Sequence, residues 1–497
     1  MARTHTIVTL ARRALIGIAV LLLVFFIGRI YQSEQGPSLH RWHSWVADEM
    51  SADEIDRASF AEYQQREARI FQEMKAELND ALSEEDKNAL NRFYPGSAVY
   101  PARFDTDWNR SFILMPKGDI RGAVVLLHGL SDSPYSVRYL AEDYQQRGFV
   151  AVAPRLPGHG TAPGSLTAVE WQSWMAATRL AVREASRLAG AQRPLHLVGY
   201  SNGGALAMKY ALESLSDKQL RAPQQIVLLS PMIGVTGYAR FAGIAGWPAL
   251  FPAFARTAWL NVVPEYNPFK YNSFPVNAAR QSWLLTQALQ AQIAQAARSG
   301  QISALAPVLT FQSVMDATVS TRAVVDALYR YLPRNGSSLV IFDINQAANM
   351  SALFRAPLPS AVSRLLPAAP RAYDATVITN RTPVTYQTEA RTINAGEVEE
   401  RVKPLNLAWP QDMFSLSHIA VPFPLSDDLY GEQPDKKNRY GISLGDISLR
   451  GETSSLTVGP ETFMRATSNP FFSEMMARIN AQITCSGAED YRACIGR

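Results

Sequence analysis

The chain has 497 residues, enough for a large core and for more than one structural unit. Its 48 lysines and arginines against 44 aspartates and glutamates leave a formal net charge of +4, and no basic stripe with interleaved aromatics occurs, so nucleic acid is not an expected partner. Seven histidines and two cysteines, without a C-x-x-C or H-E-x-x-H pattern, predict no metal site.

An apolar run begins the chain. Residues 14–28, ALIGIAVLLLVFFIG, carry no charge and follow Arg3, Arg12 and Arg13. Basic residues ahead of such a run favour a cytoplasmic N-terminus, so we predict a single-pass signal anchor over 1–31, with the remainder of the chain on the periplasmic side of a bacterial inner membrane. A cleaved signal peptide, which would leave a secreted or periplasmic protein, is the alternative, because its apolar region has this length.

A charged, helix-forming region follows over residues 32–92. Ser51 and Glu54 have the spacing of a capping box. Large apolar residues then recur at helical spacing, namely Phe60, Tyr63, Ile70, Phe71, Met74 and Leu78. The pattern predicts a helical extension, either a stalk or a segment packed on the main domain, with no residues that suggest chemistry.

The region 93–484 alternates short apolar runs with helical stretches, which predicts a mostly parallel sheet with helices on both faces. The runs are 123–127, 150–153, 195–198, 226–229, 307–311 and 339–342. Two insertions interrupt this pattern. Residues 232–301 are rich in aromatics and proline and predict a cap over an apolar substrate pocket, or else a small structural subdomain. Residues 345–409 contain strand-like stretches at 375–379 and 385–393, and we assign them no role.

The tail, 485–497, contains both cysteines of the chain. Cys485 and Cys494 lie close enough in sequence to close a short disulfide loop in an oxidising compartment, and otherwise they are two free thiols.

The stretch GYSNGG, residues 199–204, lies between an apolar run and a helix-forming run. A serine at the apex of so tight a turn needs small neighbours, and Gly199 and Gly203 flank Ser201 at two residues on either side. This spacing matches the G-x-S-x-G nucleophile elbow, in which the serine hydroxyl stands exposed above the sheet.

A serine nucleophile needs a histidine base and an acid that holds the histidine in one tautomer. In this type of fold the acid and then the histidine follow the serine in the chain, and His418 is the one histidine after Ser201. Asp316, just beyond the run 307–311, is the preferred acid, although it could also cap a helix. Asp343 is its rival and Asp326 a weaker third candidate.

The negative charge that develops on an attacked carbonyl oxygen needs two backbone N–H donors. Asn202, the residue after the nucleophile, supplies one of them. Leu130, in HGLSDSP after the run 123–127, supplies the other. His128 and His159 are then loop residues near the site rather than bases.

These motifs together resemble one branch of a known superfamily. HGLSDSP, RLPGHGTAPG, GYSNGG, the aspartate in SVMDATVS, and SHIAVPFP are similar, in order and in role, to those of the monoacylglycerol lipase and serine aminopeptidase branch of the α/β-hydrolases. The resemblance covers 122–423 without the late insertion. It implies a cofactor-free serine hydrolase acting on carboxylic esters, with Ser201, Asp316 and His418 as its triad. The 102 residues between the acid and the histidine, and the N-terminal region, depart from the branch.

Three functions are compatible with these features. The first is a membrane-anchored lipase or esterase acting on a small or lipid-derived ester with an apolar acyl group. The second is an acyltransferase, in which an alcohol replaces water. The third is an inactive hydrolase-like scaffold in the cell envelope, which the absence of a triad member would favour; none of the three triad residues is missing from the sequence.

Overall fold

The computed structural model describes residues 2–235, 247–348, 361–434, 442–445, 459–465 and 467–485. Its centre is a ten-stranded sheet with the order β1-β3-β2-β4-β5-β8-β9-β10-β11-β12. The strands are β1 (Phe112–Leu114), β2 (Gly122–Leu127), β3 (Phe149–Ala153), β4 (Leu195–Tyr200), β5 (Gln225–Leu229), β6 (Trp259–Asn261), β7 (Phe274–Pro275), β8 (Val308–Ser313), β9 (Ser338–Phe342), β10 (Asp374–Asn380), β11 (Gln387–Ile393) and β12 (Glu400–Ala408). Strands β6 and β7 form a separate small sheet.

The sheet is parallel from β3 to β10, while β1 at one edge and β11 and β12 at the other run antiparallel. The central strands are continuous apolar runs because both of their faces are covered; every residue of β2, β4, β5 and β8 is buried. In a parallel sheet all carboxyl ends lie at one edge, and loops from β2, β4 and β8 therefore meet there.

Helices cover both faces of the sheet, as the sequence predicts. They are α1 (Ala2–Glu34), α2 (Arg41–Ser44), α3 (Ala52–Arg57), α4 (Phe60–Met74), α5 (Arg138–Gln146), α6 (Trp171–Ala189), α7 (Asn202–Ser216), α8 (Val276–Ser299), α9 (Thr321–Ala323), α10 (Ala361–Leu365), α11 (Pro460–Met464) and α12 (Phe472–Cys485). Buried side chains of α6, α7 and α8 form one core, and those of α5 and α12 form the core on the opposite face. The fold is thus a three-layer α/β arrangement.

The N-terminal extension packs on the domain rather than standing away from it. Ser51 Oγ accepts a hydrogen bond from Glu54 N, and Ser51 N donates one to the Glu54 carboxylate, so the capping box forms as its spacing predicts. Ile55, Phe60 and Tyr63 are buried in the core that α6 and α7 share. The apolar stripe of this region therefore serves as a packing face.

The described parts of the two predicted insertions join different layers of the domain. Within 232–301, α8 packs against α6 and α7 and its Leu285, Leu289 and Ile293 are buried, so this part belongs to the helix layer. Within 345–409, strands β10 to β12 extend the main sheet. The parts of the two insertions at 236–246 and 349–360 lie outside the described residues.

The two ends of the chain also show features that the sequence suggests. Helix α1 is a continuous helix in which Leu10–Glu34 has a mean hydropathy of 2.5 and is not buried, a length and composition sufficient to cross a membrane. Cys485 at the end of α12 is disulfide-bonded. Cys494, the other cysteine of the chain, lies outside the described residues.

Candidate active site

The predicted nucleophile stands at a sharp turn between β4 and α7. Ser201 has φ 54° and ψ −115°, a left-handed backbone conformation that a non-glycine residue rarely adopts. Hydrogen bonds hold the turn in place, because Ser201 N donates to Leu229 O at 2.9 Å and Met232 N donates to Ser201 O at 2.9 Å. The turn is therefore fixed from the neighbouring strand β5.

The two elbow glycines are needed for different close approaches. A Cβ on Gly199 would strike the backbone of Gly203 on the first turn of α7. A Cβ on Gly203 would strike the backbone of Leu127 and lie 2.8 Å from His128 O. Gly199 thus permits the turn itself, and Gly203 permits α7 to approach the end of β2, where the loop of the predicted oxyanion donor begins.

The structure brings the three predicted triad side chains together. His418 Nε2 lies 3.0 Å from Ser201 Oγ, and His418 Nδ1 lies 2.7 Å from Asp316 Oδ2. Ser201 is 6% exposed and His418 is 5% exposed, so both residues are largely shielded from solvent while Ser201 retains a small accessible area. Asp316 and His418 come from loops 102 residues apart that meet at the carboxyl edge of the sheet.

Asp316 is held as a carboxylate by its surroundings. Burial alone would raise its pKa, but the nearby His418 and hydrogen bonds from His418 and from the Val319 and Thr318 amides outweigh burial, and the pKa lies below its ordinary value. Both oxygens are occupied: Oδ1 accepts from Thr318 N at 2.9 Å and Val319 N at 3.0 Å, and Oδ2 also accepts from Gln312 Nε2 at 3.1 Å.

This environment determines the histidine tautomer. An ionised carboxylate can only accept a hydrogen bond, so Nδ1 of His418 must carry the proton it donates to Asp316. Nε2 is then left with a lone pair facing the Ser201 hydroxyl at 3.0 Å. The arrangement can therefore remove a proton from the serine, which is what a serine nucleophile requires at neutral pH.

The rival acids lie elsewhere. Asp343 Oδ2 accepts from Thr379 Oγ1 at 2.9 Å, and burial raises the pKa of Asp343. Asp326 is exposed and lies in a short π-helical turn, Val324–Leu328. Among the described residues, Asp316 is the acid that hydrogen-bonds to His418.

Two backbone amides near Ser201 are available as donors. Neither Leu130 N nor Asn202 N donates a hydrogen bond within the described ranges. Asn202 is the first residue of α7, where the helix dipole favours negative charge. The Leu130 loop passes close to the elbow, since a Cβ on Gly129 would lie 3.4 Å from Ser201 Cβ. Ser131, the residue after Leu130, has φ 57°.

His128 and His159 are buried in the loops where the sequence places them, and Nε2 of His159 has no hydrogen-bond partner among the described residues. Their rings meet edge to face with centroids 5.1 Å apart. Burial lowers the pKa of His159 to about 4 and lowers that of His128 well below its ordinary value, so both rings are neutral at neutral pH. Among the residues that the structure describes, no group of three or more histidine, cysteine or acidic side chains could hold a metal ion.

Sequence reasoning did not identify the supports of the triad. Gln312, which donates to Asp316, lies at the end of β8, and the amides of Thr318 and Val319 follow the acid directly. A polar residue at the end of an otherwise apolar buried strand is the signal that could have indicated Gln312. Glu49 and Glu67, which bind Arg155, were also missed, because charged residues in an N-terminal extension resemble a solvated face.

Comparison with known proteins finds similarity to hydrolases. Residues 118–344 match the family model of the serine aminopeptidases, S33. A thermostable monoacylglycerol lipase of Bacillus sp. (strain H-257) is 32% identical over 88 residues, which are 18% of this chain and 34% of that enzyme. The chain thus matches about a third of the length of that curated relative.

Solved structures of two lipolytic enzymes align with part of the chain at low identity. Monoglyceride lipase from Saccharomyces cerevisiae aligns with a TM-score of 0.37 and 14% identity, over 46% of this chain and 81% of that chain. The monoacylglycerol lipase of Paleococcus ferrophilus aligns with a TM-score of 0.34 and 18% identity, over 46% of this chain and 86% of that chain.

The order of the strands and the elbow at the end of β4 give the chain an α/β-hydrolase fold. Its residues 118–344 are similar to the serine aminopeptidases, S33, and an 88-residue part of it is similar to a monoacylglycerol lipase.

Proposed function

We propose that the chain is a serine hydrolase that cleaves carboxylic esters through an acyl-enzyme. The observation that carries this proposal is the unbroken hydrogen-bonded series from Ser201 through His418 to Asp316, beside two backbone amides that have no acceptor among the described residues. Nucleophile, base and orienting acid within hydrogen-bond reach are the requirement for acyl transfer, whatever the fold.

In the first half of the reaction, Ser201 Oγ attacks the ester carbonyl carbon while His418 Nε2 takes the hydroxyl proton. The amides of Leu130 and Asn202 donate to the oxygen that becomes negative, and each such donor is worth about 10²–10³ in kcat. The bond from the carbonyl carbon to the alcohol oxygen then breaks, and His418 returns the proton to the leaving alcohol. The acyl group remains on Ser201.

In the second half, water attacks the acyl-enzyme. His418 removes a proton from the water, the tetrahedral intermediate forms again, and the bond between the acyl carbon and Ser201 Oγ breaks. His418 gives the proton back to Ser201, and the carboxylic acid leaves. An alcohol in place of water would give acyl transfer on the same residues, so the share of the two products depends on which acceptor reaches the acyl-enzyme.

The substrate that we propose is a lipid-derived ester with an apolar acyl chain. The monoacylglycerol lipases among the similar proteins support this class. The contact between α1 and the predicted cap region supports it as well. The segment Pro252–Ala258 packs on α1, which we propose as the membrane anchor, so this part of the domain lies beside the anchor. Arg256 Nη1 donates to Glu34 O at 3.0 Å, and Arg29 donates to Trp259 O.

We propose that α1 is a single-pass anchor and that the catalytic domain lies on the periplasmic side of a bacterial inner membrane. The apolar span Leu10–Glu34 and the arginines near its start support this orientation. The disulfide at Cys485 fits an oxidising compartment. Recovery of the full-length protein from carbonate-washed membranes would support the anchor, and a soluble protein beginning after residue 31 would support a cleaved signal peptide.

The ester activity is tested with p-nitrophenyl esters from acetate to palmitate in a non-denaturing detergent. We expect hydrolysis by the full chain and a loss of about 10⁶-fold in kcat for Ser201→Ala and for His418→Ala, since triad members act as a unit. Ser216→Ala is the matched control, because Ser216 lies on the same helix α7 and is exposed.

A folded wild-type protein that hydrolyses none of these esters would contradict the proposal. Equal rates for wild type and Ser201→Ala would contradict it as well, because the activity would then come from another residue or a contaminant.

A further inference from the structure

The N-terminal extension contributes a buried carboxylate, Glu67, and a partly buried one, Glu49, to the hydrolase domain. Glu49 and Glu67 precede the family-matched region 118–344, and both bind Arg155 in the loop after β3. Arg155 Nη1 and Nη2 donate to the two oxygens of Glu49 at 2.7 and 2.9 Å, and Arg155 Nε donates to Glu67 Oε2 at 3.1 Å. Arg155 is 1% exposed, so its pair with Glu67 lies inside the protein and its pair with Glu49 is partly buried.

Glu49 also binds the main chain of the same loop. Gly158 N donates to Glu49 Oε1 at 2.7 Å, and Arg155 Nη1 donates to His159 O at 3.0 Å. Glu49 therefore holds the loop 155–159 by a side chain and by an amide at once. Tyr63, also in the extension, donates to Arg155 O at 2.6 Å and fixes the start of the loop.

The loop in turn orients His128. Leu156 N donates to His128 Nε2 at 3.0 Å, so Nε2 is the unprotonated nitrogen of that ring. Nδ1 then carries the proton and donates to Gly129 O at 2.8 Å. Burial keeps the pKa of His128 well below its ordinary value, which preserves this single-proton arrangement at neutral pH.

Gly129 O and Leu130 N belong to the same planar trans peptide, so they point in opposite directions. A hydrogen bond that holds the carbonyl on one side therefore fixes the direction of the Leu130 N–H on the other. Leu130 N has no acceptor among the residues that the structure describes, and it is one of the two donors proposed for the oxyanion.

We propose that Glu49 is a positioning residue of the oxyanion hole, acting through the 155–159 loop and His128 on the Leu130 amide. This inference rests on the proposed ester hydrolysis and adds a role for the N-terminal extension in it. Glu49 touches neither the substrate nor the reacting atoms. It determines how accurately a donor faces the transition state, and donor placement of this kind affects kcat more than KM.

The test uses the full chain with Glu49→Gln, which removes the charge and keeps the volume. We expect kcat on p-nitrophenyl butyrate to fall about tenfold, less than the 10²–10³ lost when a donor is removed, with KM unchanged. Asp48→Asn is the matched control: it removes a neighbouring charge whose side chain is 73% exposed, and we expect wild-type kinetics from it.

A second readout separates positioning from loss of folded protein. A trifluoromethyl ketone adds to Ser201 and forms an oxyanion in the site, so its inhibition constant should rise by the same factor as kcat falls. If Glu49→Gln does not accumulate as folded protein, Glu49→Asp serves instead, because it keeps the charge but is too short to reach both Arg155 and Gly158.

Wild-type kcat in folded Glu49→Gln would overturn the inference. A lower kcat with an unchanged inhibition constant would also overturn it, because only the amount of active enzyme would then have changed. Absence of activity in the wild-type protein is a different result, which would contradict the ester hydrolysis itself.

Discussion

Asp316→Asn is the substitution whose outcome follows most directly from the hydrogen bonds of the site. The two oxygens of Asp316 have different partners: Oδ1 accepts from two backbone amides, Thr318 and Val319, and Oδ2 accepts from His418 and Gln312. An asparagine that keeps its oxygen at the Oδ1 position retains both backbone bonds. Its NH₂ group then faces His418.

The opposite orientation would point the NH₂ group at two N–H donors. It would lose these two hydrogen bonds, whereas the first orientation loses the one from Gln312, so at about 1 kcal/mol for each bond the first orientation is favoured by about 1 kcal/mol. Gln312 keeps a second acceptor, since its Nε2 also donates to Thr321 Oγ1 at 3.1 Å. The variant should therefore fold, with the histidine facing a donor in place of an acceptor.

Facing a donor, His418 Nδ1 must become the acceptor, and the proton moves to Nε2, which faces Ser201 and can no longer take its proton. An equivalent change of tautomer costs about 10⁴ in kcat in a serine protease, or about 5 kcal/mol of barrier. We expect a loss of about this size for p-nitrophenyl butyrate, with a thermal unfolding transition like that of the wild type.

Asp343→Asn is the control, because Asp343 bonds to Thr379 and lies away from the histidine. We expect it to retain wild-type kcat. A folded Asp316→Asn protein with near-normal kcat would refute this assignment of the acid, and a large loss in Asp343→Asn would point to the rival carboxylate.

Three further predictions concern stability. Gly203→Ala should lower the free energy of unfolding by about 1–3 kcal/mol in urea, since its Cβ meets backbone atoms of Leu127 and His128; an unchanged midpoint would contradict the packing. Asn202→Leu should raise that free energy by about 1–2 kcal/mol, because both buried amide atoms of Asn202 lack hydrogen-bond partners in the described structure; a lower midpoint would contradict this. Burial lowers the pKa of His196 to about 3, below its unfolded value of about 6.5, so the unfolded state binds the proton first and stability falls as pH drops below about 6.5. His196→Gln should reduce this loss by about 1.4 kcal/mol per pH unit, and equal slopes of the free energy of unfolding against pH in the two proteins would argue against it.

Much of the fold could be predicted because its signals are local. A buried parallel strand is an apolar run, and the six runs identified in the sequence correspond to β2, β3, β4, β5, β8 and β9. The elbow is equally local, since glycine spacing and a change from strand to helix occur within six residues. His418 needed only the chain order, because one histidine follows Ser201. The structure places it 3.0 Å from Ser201 Oγ, and its catalytic role stays a prediction.

Contacts between distant segments were harder to predict. Glu49 and Arg155 are 106 residues apart, and no periodic pattern connects a carboxylate in an N-terminal extension with a loop in the sheet. The helix α8 follows an aromatic-rich stretch, and its composition alone did not separate it from a cap. Strands β10 and β11 were recognised as strands, but their place at the sheet edge depends on pairing, which alternation within a strand does not specify.

The central claim is that Ser201 is a nucleophile activated by His418. Its most direct test is labelling with a fluorophosphonate probe, followed by identification of the modified peptide by mass spectrometry. We predict one label per chain on Ser201 in the native protein, and none in Ser201→Ala or His418→Ala. A folded native protein that takes up no label, or takes it up on another residue, would contradict the claim and favour the inactive scaffold.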